Sequence, residues 1–259
     1  MQKEFPRGLI QPEGAFRFSA DALLLAAFAR PAPGMSVLDL GTGCGVVALG
    51  LLLRCEDIRV TGVDVRPELT ACAADNAVRM GFADRANFCR ADVRKMAEGC
   101  FPEGMVAGAF GLVTANPPYR VLGEGRLPAS EARRTALFGD PGLLEAFAAA
   151  GRRALAEDGV LAMVFPGERE EELSRTLETE GLFGARLRRV LFRRGGEDAG
   201  KRGRSRGLIL VEAVKKAPHA VTREEPLVLH EGEEPGITAA ALSFCPWLEK
   251  RPGSGAGER

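Results

Sequence analysis

Histidine is nearly missing from this 259-residue chain, with only His219 and His230 present, and its six cysteines include no Cys-x-x-Cys pair. Zinc sites draw on clusters of these residues and small disulfide scaffolds on regularly spaced cysteines, so neither a metal nor a disulfide framework is expected. No apolar run reaches the roughly 18 residues that cross a bilayer. Residues 1–10 lack the basic start, apolar middle and small-residue cleavage site of a secretory signal. These absences argue against a membrane or exported protein, and the expected compartment is the cytoplasm. There is also no G-x-x-x-x-G-K-[ST] loop for nucleoside triphosphates. Net charge is zero, so the chain as a whole draws no polyanion.

What is present is a globular composition, 46% hydrophobic and 27% charged, enough for one large domain with additions. The zero charge hides an uneven distribution. Between Arg186 and Lys216 stand eleven Lys or Arg against three acids, a local +8 that the remainder of the chain balances. Arg186, Arg188, Arg193, Arg194, Lys201, Arg202, Arg204 and Arg206 fall on two strand-like runs and the loop between them. No apolar core is expected there, and a polyphosphate backbone would find an electrostatic footprint.

Periodicity orders the rest. Ser19 is placed to cap a helix over 20–30. "MSVLDLGTGCGVVALGLLLR" reads as strand, glycine-rich turn and helix. "IRVTGVDV" is a second strand, and Pro67 suits the first position of the helix after it. "ANFCRADV" and "FGLVTA" are a third and fourth strand. A helix over 141–155 leads to "VLAMVFP", and an amphipathic helix ends near Gly181. "GARLRRVLF" and "GLILVEAV" complete seven strands. Strands alternating with helices predict a Rossmann-like, doubly wound α/β fold. Its sheet is expected to be mostly parallel, with an antiparallel last strand because no helix joins the final pair. The expected organisation is an N-terminal capping segment and helix over 1–34, a cofactor-binding domain over 35–216 and an extension over 217–259 with a mobile end.

In such folds ligands sit beyond the carboxyl ends of the strands. Asp39, Gly41, Gly43 and Gly45 follow strand one, Asp64 ends strand two, Asp92 follows strand three, and Asn116-Pro117-Pro118-Tyr119 follows strand four. The dinucleotide fingerprint requires a small residue at position 46, where this chain has Val46, so a cofactor without phosphates fits the turn better. Asp64 is suited to accept hydrogen bonds from two ribose hydroxyls, and Asp92 from an adenine amino group. The Asn-Pro-Pro-Tyr segment is stiff and rich in acceptors, because neither proline has an N–H and the residue before a proline is held extended. Asn116 Oδ1 and the Pro117 carbonyl are therefore suited to hold both hydrogens of a planar amine, with Tyr119 stacked on the attached ring.

The glycine turn, Asp64, Asp92 and "NPPY", in this order, resemble a class I S-adenosylmethionine-dependent N-methyltransferase. The stretches "FRFSADALLLAAF", "EARR" and "PLVLHE" are similar to the bacterial family that methylates adenine N6 beside the anticodon of a valine tRNA, although Ser19-Ala20 stands where that family often has Gly-Thr before its Asp. The resemblance implies S-adenosyl-L-methionine as cofactor, bound by Asp39, Gly41, Gly43, Gly45, Asp64, Asp92 and Asn116. It implies RNA, in particular tRNA, as partner, with neither membrane nor metal involved. Asn116, Pro117 and Tyr119 become the catalytic candidates. Pro118, Tyr119, Arg133, Arg193, Arg194, Arg202 and Arg204 become candidates for binding the base and the RNA. Methylation of an rRNA guanine or a protein glutamine stays open at this point, as does a non-catalytic RNA-binding protein on the same fold.

Overall fold

The computed structural model describes residues 2–12, 18–119, 142–193, 207–231 and 236–250. Arg133, Arg194, Arg202 and Arg204 lie outside the described residues, as do the whole of "EARR" and the first two residues of "FRFSADALLLAAF". Eight strands form one sheet: β1 (Ser36–Leu40), β2 (Arg59–Asp64), β3 (Ala86–Arg90), β4 (Phe110–Ala115), β5 (Leu155–Pro166), β6 (Phe183–Arg193), β7 (Gly207–Val214) and β8 (Thr222–His230), in the order β3-β2-β1-β4-β5-β7-β6-β8. Only β7 runs antiparallel, and it does so between β5 and β6. The expected count of seven is therefore corrected to eight. The final strand β8 pairs parallel with β6, and the antiparallel strand is the seventh. The periodicity of "TREEPLVLH" is poor because it is an edge strand. Its first five residues are largely exposed and Pro226 falls where the β6–β8 register shifts, a place that tolerates a missing N–H.

Helices cover both faces. On one lie α1 (Ala20–Phe28), α2 (Val46–Arg54) and α3 (Pro67–Met80). On the other lie α4 (Val93–Ala97), α5 (Leu143–Ala154) and α6 (Glu170–Thr179). A last helix, α7 (Ala239–Phe244), and a 3₁₀ turn (Pro246–Lys250) return to the first face. Leu227, Leu229 and Leu248 share one apolar core with Leu23, Leu24 and Leu25, so the segment beyond 217 is woven into the same body as α1. Helix α1 is buried along nearly its whole length, as a helix apolar on all sides must be. Ser19 occupies its N-cap position, but its side chain makes no capping bond, so the cap expected from composition is not made. Pro67 does open α3. Among the described residues no helix is long and apolar enough to span a membrane.

The arginines of β6 correct another expectation. Arg186 is 6% exposed. Its Nε and Nη2 donate to both carboxylate oxygens of Glu212 at 2.7 and 2.5 Å, its Nη1 to Glu224 at 2.9 Å and its Nη2 also to the Phe28 carbonyl at 2.7 Å. The guanidinium lies 3.7 Å from the centre of the Phe28 ring. Arg188 reaches Glu224 and stacks over Phe244, and Arg189 pairs with Glu170. A planar, always charged fork is the side chain that can satisfy several acceptors at once inside a sheet. These three arginines join β6 to its neighbours, and the basic span supplies fewer surface cations than its composition implies.

Candidate active site

Register places the expected residues along one edge. Leu40 of β1 lies beside Val63 of β2 and Ala115 of β4, so the glycine turn, Asp64 and Asn116 leave adjacent strands side by side at their carboxyl ends. Asp92 follows β3 on the same edge, where the Ala91 amide donates to the Asp64 carbonyl at 3.0 Å.

The turn is held from below. Asp39 is 1% exposed, and its two carboxylate oxygens accept the hydroxyls of Thr42 and Thr114, each at 2.7 Å. Burial pushes its carboxyl up to about 6, against the opposing pull of the two hydroxyls. Asp39 thus ties the glycine turn to the strand that carries Asn116. Both oxygens of Asp39, which is expected among the cofactor contacts, are engaged beneath the turn. The Thr42 amide donates to the Val63 carbonyl at 2.9 Å and adds β2 to the bracket.

The glycines divide the work. Gly41 is at φ +67°, and a Cβ there would sit 3.1 Å from the Phe147 ring, so α5 closes against the turn only where no side chain intervenes. Gly43, at φ +57°, has nothing within 4 Å of the position a Cβ would occupy, which leaves its backbone open to a ligand. Its amide donates to Asp64 Oδ2 at 3.1 Å, and the Arg66 amide donates to Asp64 Oδ1 at 3.0 Å. Burial raises the Asp64 carboxyl above its ordinary value, and those two amides work against the rise. An acid oriented by two amides at the mouth of an open glycine turn, each oxygen with a lone pair to spare, fits a pair of ribose hydroxyls. Asp92 is partly committed. Its side chain caps α4 by accepting the Arg94 amide at 2.9 Å, a helix too short to announce itself by periodicity.

Next to this turn runs the tetrapeptide. Pro117 is buried, while Asn116, Pro118 and Tyr119 are half-buried. Among the described residues nothing hydrogen-bonds the Asn116 carboxamide, so its acceptor is available to a ligand. Tyr119 is held on several sides. Its hydroxyl donates to Asp21 Oδ2, its ring meets Phe165 edge to face at 6.1 Å, and its carbonyl accepts from Arg169 Nη1 at 2.6 Å. Asp21, Thr42, Thr114, Phe147 and Arg169 were not among the residues singled out from sequence. Only Asp21 carried a signal, as the acid of "FRFSADALLLAAF". Arg193 ends β6 in an exposed position, away from the turn in sheet order.

A doubly wound sheet with a glycine turn after β1, an acid ending β2 and a single antiparallel strand near the far edge defines a class I S-adenosylmethionine-dependent methyltransferase. The family described as "Methyltransferase domain" matches residues 37–124. A tRNA1(Val) (adenine(37)-N6)-methyltransferase of Yersinia enterocolitica is 29% identical over 170 residues, 65% of this chain and 64% of that protein. One of Porphyromonas gingivalis is 31% identical over 182 residues, 68% of this chain and 69% of that protein. The matches to these two relatives thus span about two thirds of their length. A predicted O-methyltransferase of Agrobacterium tumefaciens shares the fold, with a TM-score of 0.65 at 20% identity over 88% of this chain and 96% of the other. This chain belongs to the tRNA1(Val) (adenine(37)-N6)-methyltransferase family.

Proposed function

We propose that the protein transfers a methyl group from S-adenosyl-L-methionine to N6 of an adenosine in tRNA, adenine 37 of a valine tRNA being what the names of its relatives specify, and that it works in the cytoplasm where tRNA is used. The observation that carries this reading is the Asn116-Pro117-Pro118-Tyr119 segment standing beside the open glycine turn, with an uncommitted carboxamide and an anchored aromatic ring. In this reading Gly41, Gly43 and Gly45 would hold the cofactor, with Asp64 accepting from its ribose and Asp92 from its adenine. The cofactor supplies an activated methyl group on a sulfonium.

The chain's own task is to aim the amine. An adenine must leave its stack to reach this edge, at a cost of a few kcal/mol that is smaller for a loop base than for a paired one. Tyr119 offers it a stacking face. Asn116 Oδ1 and the Pro117 carbonyl accept the two N6 hydrogens, which draws the nitrogen out of conjugation and turns its lone pair toward the donor. As the new N–C bond forms, the methyl's bond to sulfur would break and its electron pair would leave with the neutral thioether, after which one N6 proton would pass to solvent. Because the donor is already activated, positioning carries most of the rate, and the scarcity of histidine is no obstacle.

The direct test is to supply purified protein and labelled cofactor with tRNA, ribosomal subunits or a release factor. N6-methyladenosine in tRNA, and its loss from the tRNA of a deletion strain by nucleoside mass spectrometry, is the expected result. Label on guanine or on protein glutamine instead would overturn it.

Two further outcomes follow from the same geometry. Asp64→Ala is expected to weaken S-adenosylmethionine by about 1.5 to 3 kcal/mol, the range for hydrogen bonds to a charged group. Calorimetry is the check, and unchanged affinity would take Asp64 out of the site. Replacing Arg193, Arg194, Arg202 and Arg204 together by Ala should weaken tRNA binding and flatten its salt dependence by roughly 0.7 to 0.9 log units for each phosphate that is no longer neutralised. Cofactor affinity should stay unchanged. A salt slope equal to the wild type's would mean that these arginines touch no phosphate.

A further inference from the structure

Two prolines make a loop stiff, but stiffness does not aim it; a rigid rod needs both ends fixed. At its first end the tetrapeptide is fixed by β4, through Thr114 and the buried Asp39. Its second end is Tyr119, and three separate elements converge there. Helix α1 contributes Asp21, 6% exposed in its first turn, whose carboxylate accepts the Tyr119 hydroxyl. Strand β5 contributes Phe165, whose ring stands at 77° to the Tyr119 ring. The 3₁₀ turn after β5 (Gly167–Arg169) contributes Arg169, which holds the Tyr119 carbonyl. Arg169 is itself oriented by two bonds to Glu172, at 2.6 and 2.5 Å, and by the Phe165 face 4.8 Å beneath its guanidinium.

We propose that Asp21 is a positioning residue for methyl transfer, acting through the Tyr119 hydroxyl to set the ring before the target base arrives. The proposal rests on the reading of Asn116 to Tyr119 as the base-binding loop. The physical reason is freedom about two side-chain torsions. Edge-to-face contact with Phe165 alone leaves the Tyr119 ring able to rock, because aromatic pairs tolerate a range of tilts. A hydroxyl bonded to a carboxylate on a buried helix removes that freedom. The ring is then presented to the base with its orientation already fixed, so that stacking does not first have to order it. Asp21 sits on a helix whose remaining residues are packed in the core, so the anchor does not move with the loop.

Tyr119 is the only tyrosine of the chain, and this permits a test that reads the clasp without reading activity. Protein made with ¹³Cζ-labelled tyrosine should give a single Cζ resonance. In Asp21→Ala it should move upfield, toward the position of tyrosine in water, because the phenol has lost a charged acceptor. In Asp21→Asn it should lie between the two. Single-turnover transfer to full-length tRNA at saturating cofactor should fall by about tenfold to a hundredfold in Asp21→Ala, the scale for a misplaced reacting group. Asp21→Asn, whose carboxamide oxygen still accepts the hydroxyl, should recover most of that rate. Tyr119→Phe should lose as much as Asp21→Ala, and the double variant no more than either, because all three remove one interaction.

A resonance identical in wild type and Asp21→Ala would overturn the clasp. Losses that multiply in the double variant would overturn its role in transfer, as would wild-type rates in Asp21→Ala. Should Asp21→Ala not fold, Asp21→Asn carries the comparison of resonances and Tyr119→Phe that of rates. If the wild-type protein methylated something other than tRNA adenine, the functional reading would fail while the resonance still tested the clasp.

Discussion

Asn116→Ala should fold as the wild type does, bind S-adenosylmethionine and tRNA with little change in affinity, and transfer methyl groups about a hundredfold to a thousandfold more slowly, the cost of losing one preorganised polar group aimed at a reacting centre. Both prolines stay in place, so the loop keeps its stiffness. Pro117 remains buried against the sheet. What goes is the acceptor for one amine hydrogen, and that interaction matters most when the nitrogen leaves the plane of its ring. Ground-state binding draws on the stacked base and the phosphate contacts instead, so the effect should appear in the rate and hardly in affinity. Single-turnover transfer with saturating tRNA and cofactor is the measurement. A wild-type rate would mean that the carboxamide does not hold the amine, and the reading of the tetrapeptide would fall with it.

Arg186→Ala should act on stability, by about 3 to 5 kcal/mol, as expected when one member of a buried ion pair is removed and its partner left behind. Glu212, its side chain 11% exposed, would lose both of its bonds to the guanidinium, and Glu224 one of its own. The Phe28 carbonyl, among the acceptors that every helix leaves open at its C-terminal end, would lose its donor. Guanidinium unfolding followed by circular dichroism gives the difference directly. Arg186→Met combined with Glu212→Leu should regain much of the stability, since apolar side chains of similar volume can replace a buried pair without the desolvation cost. A double variant as unstable as Arg186→Ala would show that the pair with Glu212 is not the source of the effect, which would then lie in the guanidinium's contacts with Glu224 and Phe28.

The glycine turn, Asp64 and the Asn-Pro-Pro-Tyr segment were legible because each is a local device. A positive φ, an acid at a strand end and a proline-restrained loop are properties of a few neighbouring residues, and strand-to-helix alternation tells where in the fold they stand. Elements whose local pattern is weak were not legible. Strand β8 carries a proline and a run of charges, and α4 spans only Val93–Ala97. The arginines of β6 misled for a related reason. Composition counts charges without knowing which of them have acids opposite, and the β6–β7 register sets Arg186 directly across from Glu212.

By itself the sequence determined the α/β class, the edge of the sheet that carries the candidate site, and the candidate groups that stand on it, since all three follow from periodicity and short motifs. The tertiary structure alone decided who holds those groups in place. Asp21 and Tyr119 are 98 residues apart, Asp39 and Thr114 are 75 apart, and Arg186 and Phe28 are 158 apart. No local rule pairs such residues. They meet because the chain orders its strands β3-β2-β1-β4-β5-β7-β6-β8 and lays α1 across one face, so that apolar burial, which has no direction of its own, sets the distances at which hydrogen bonds and ion pairs then choose their partners.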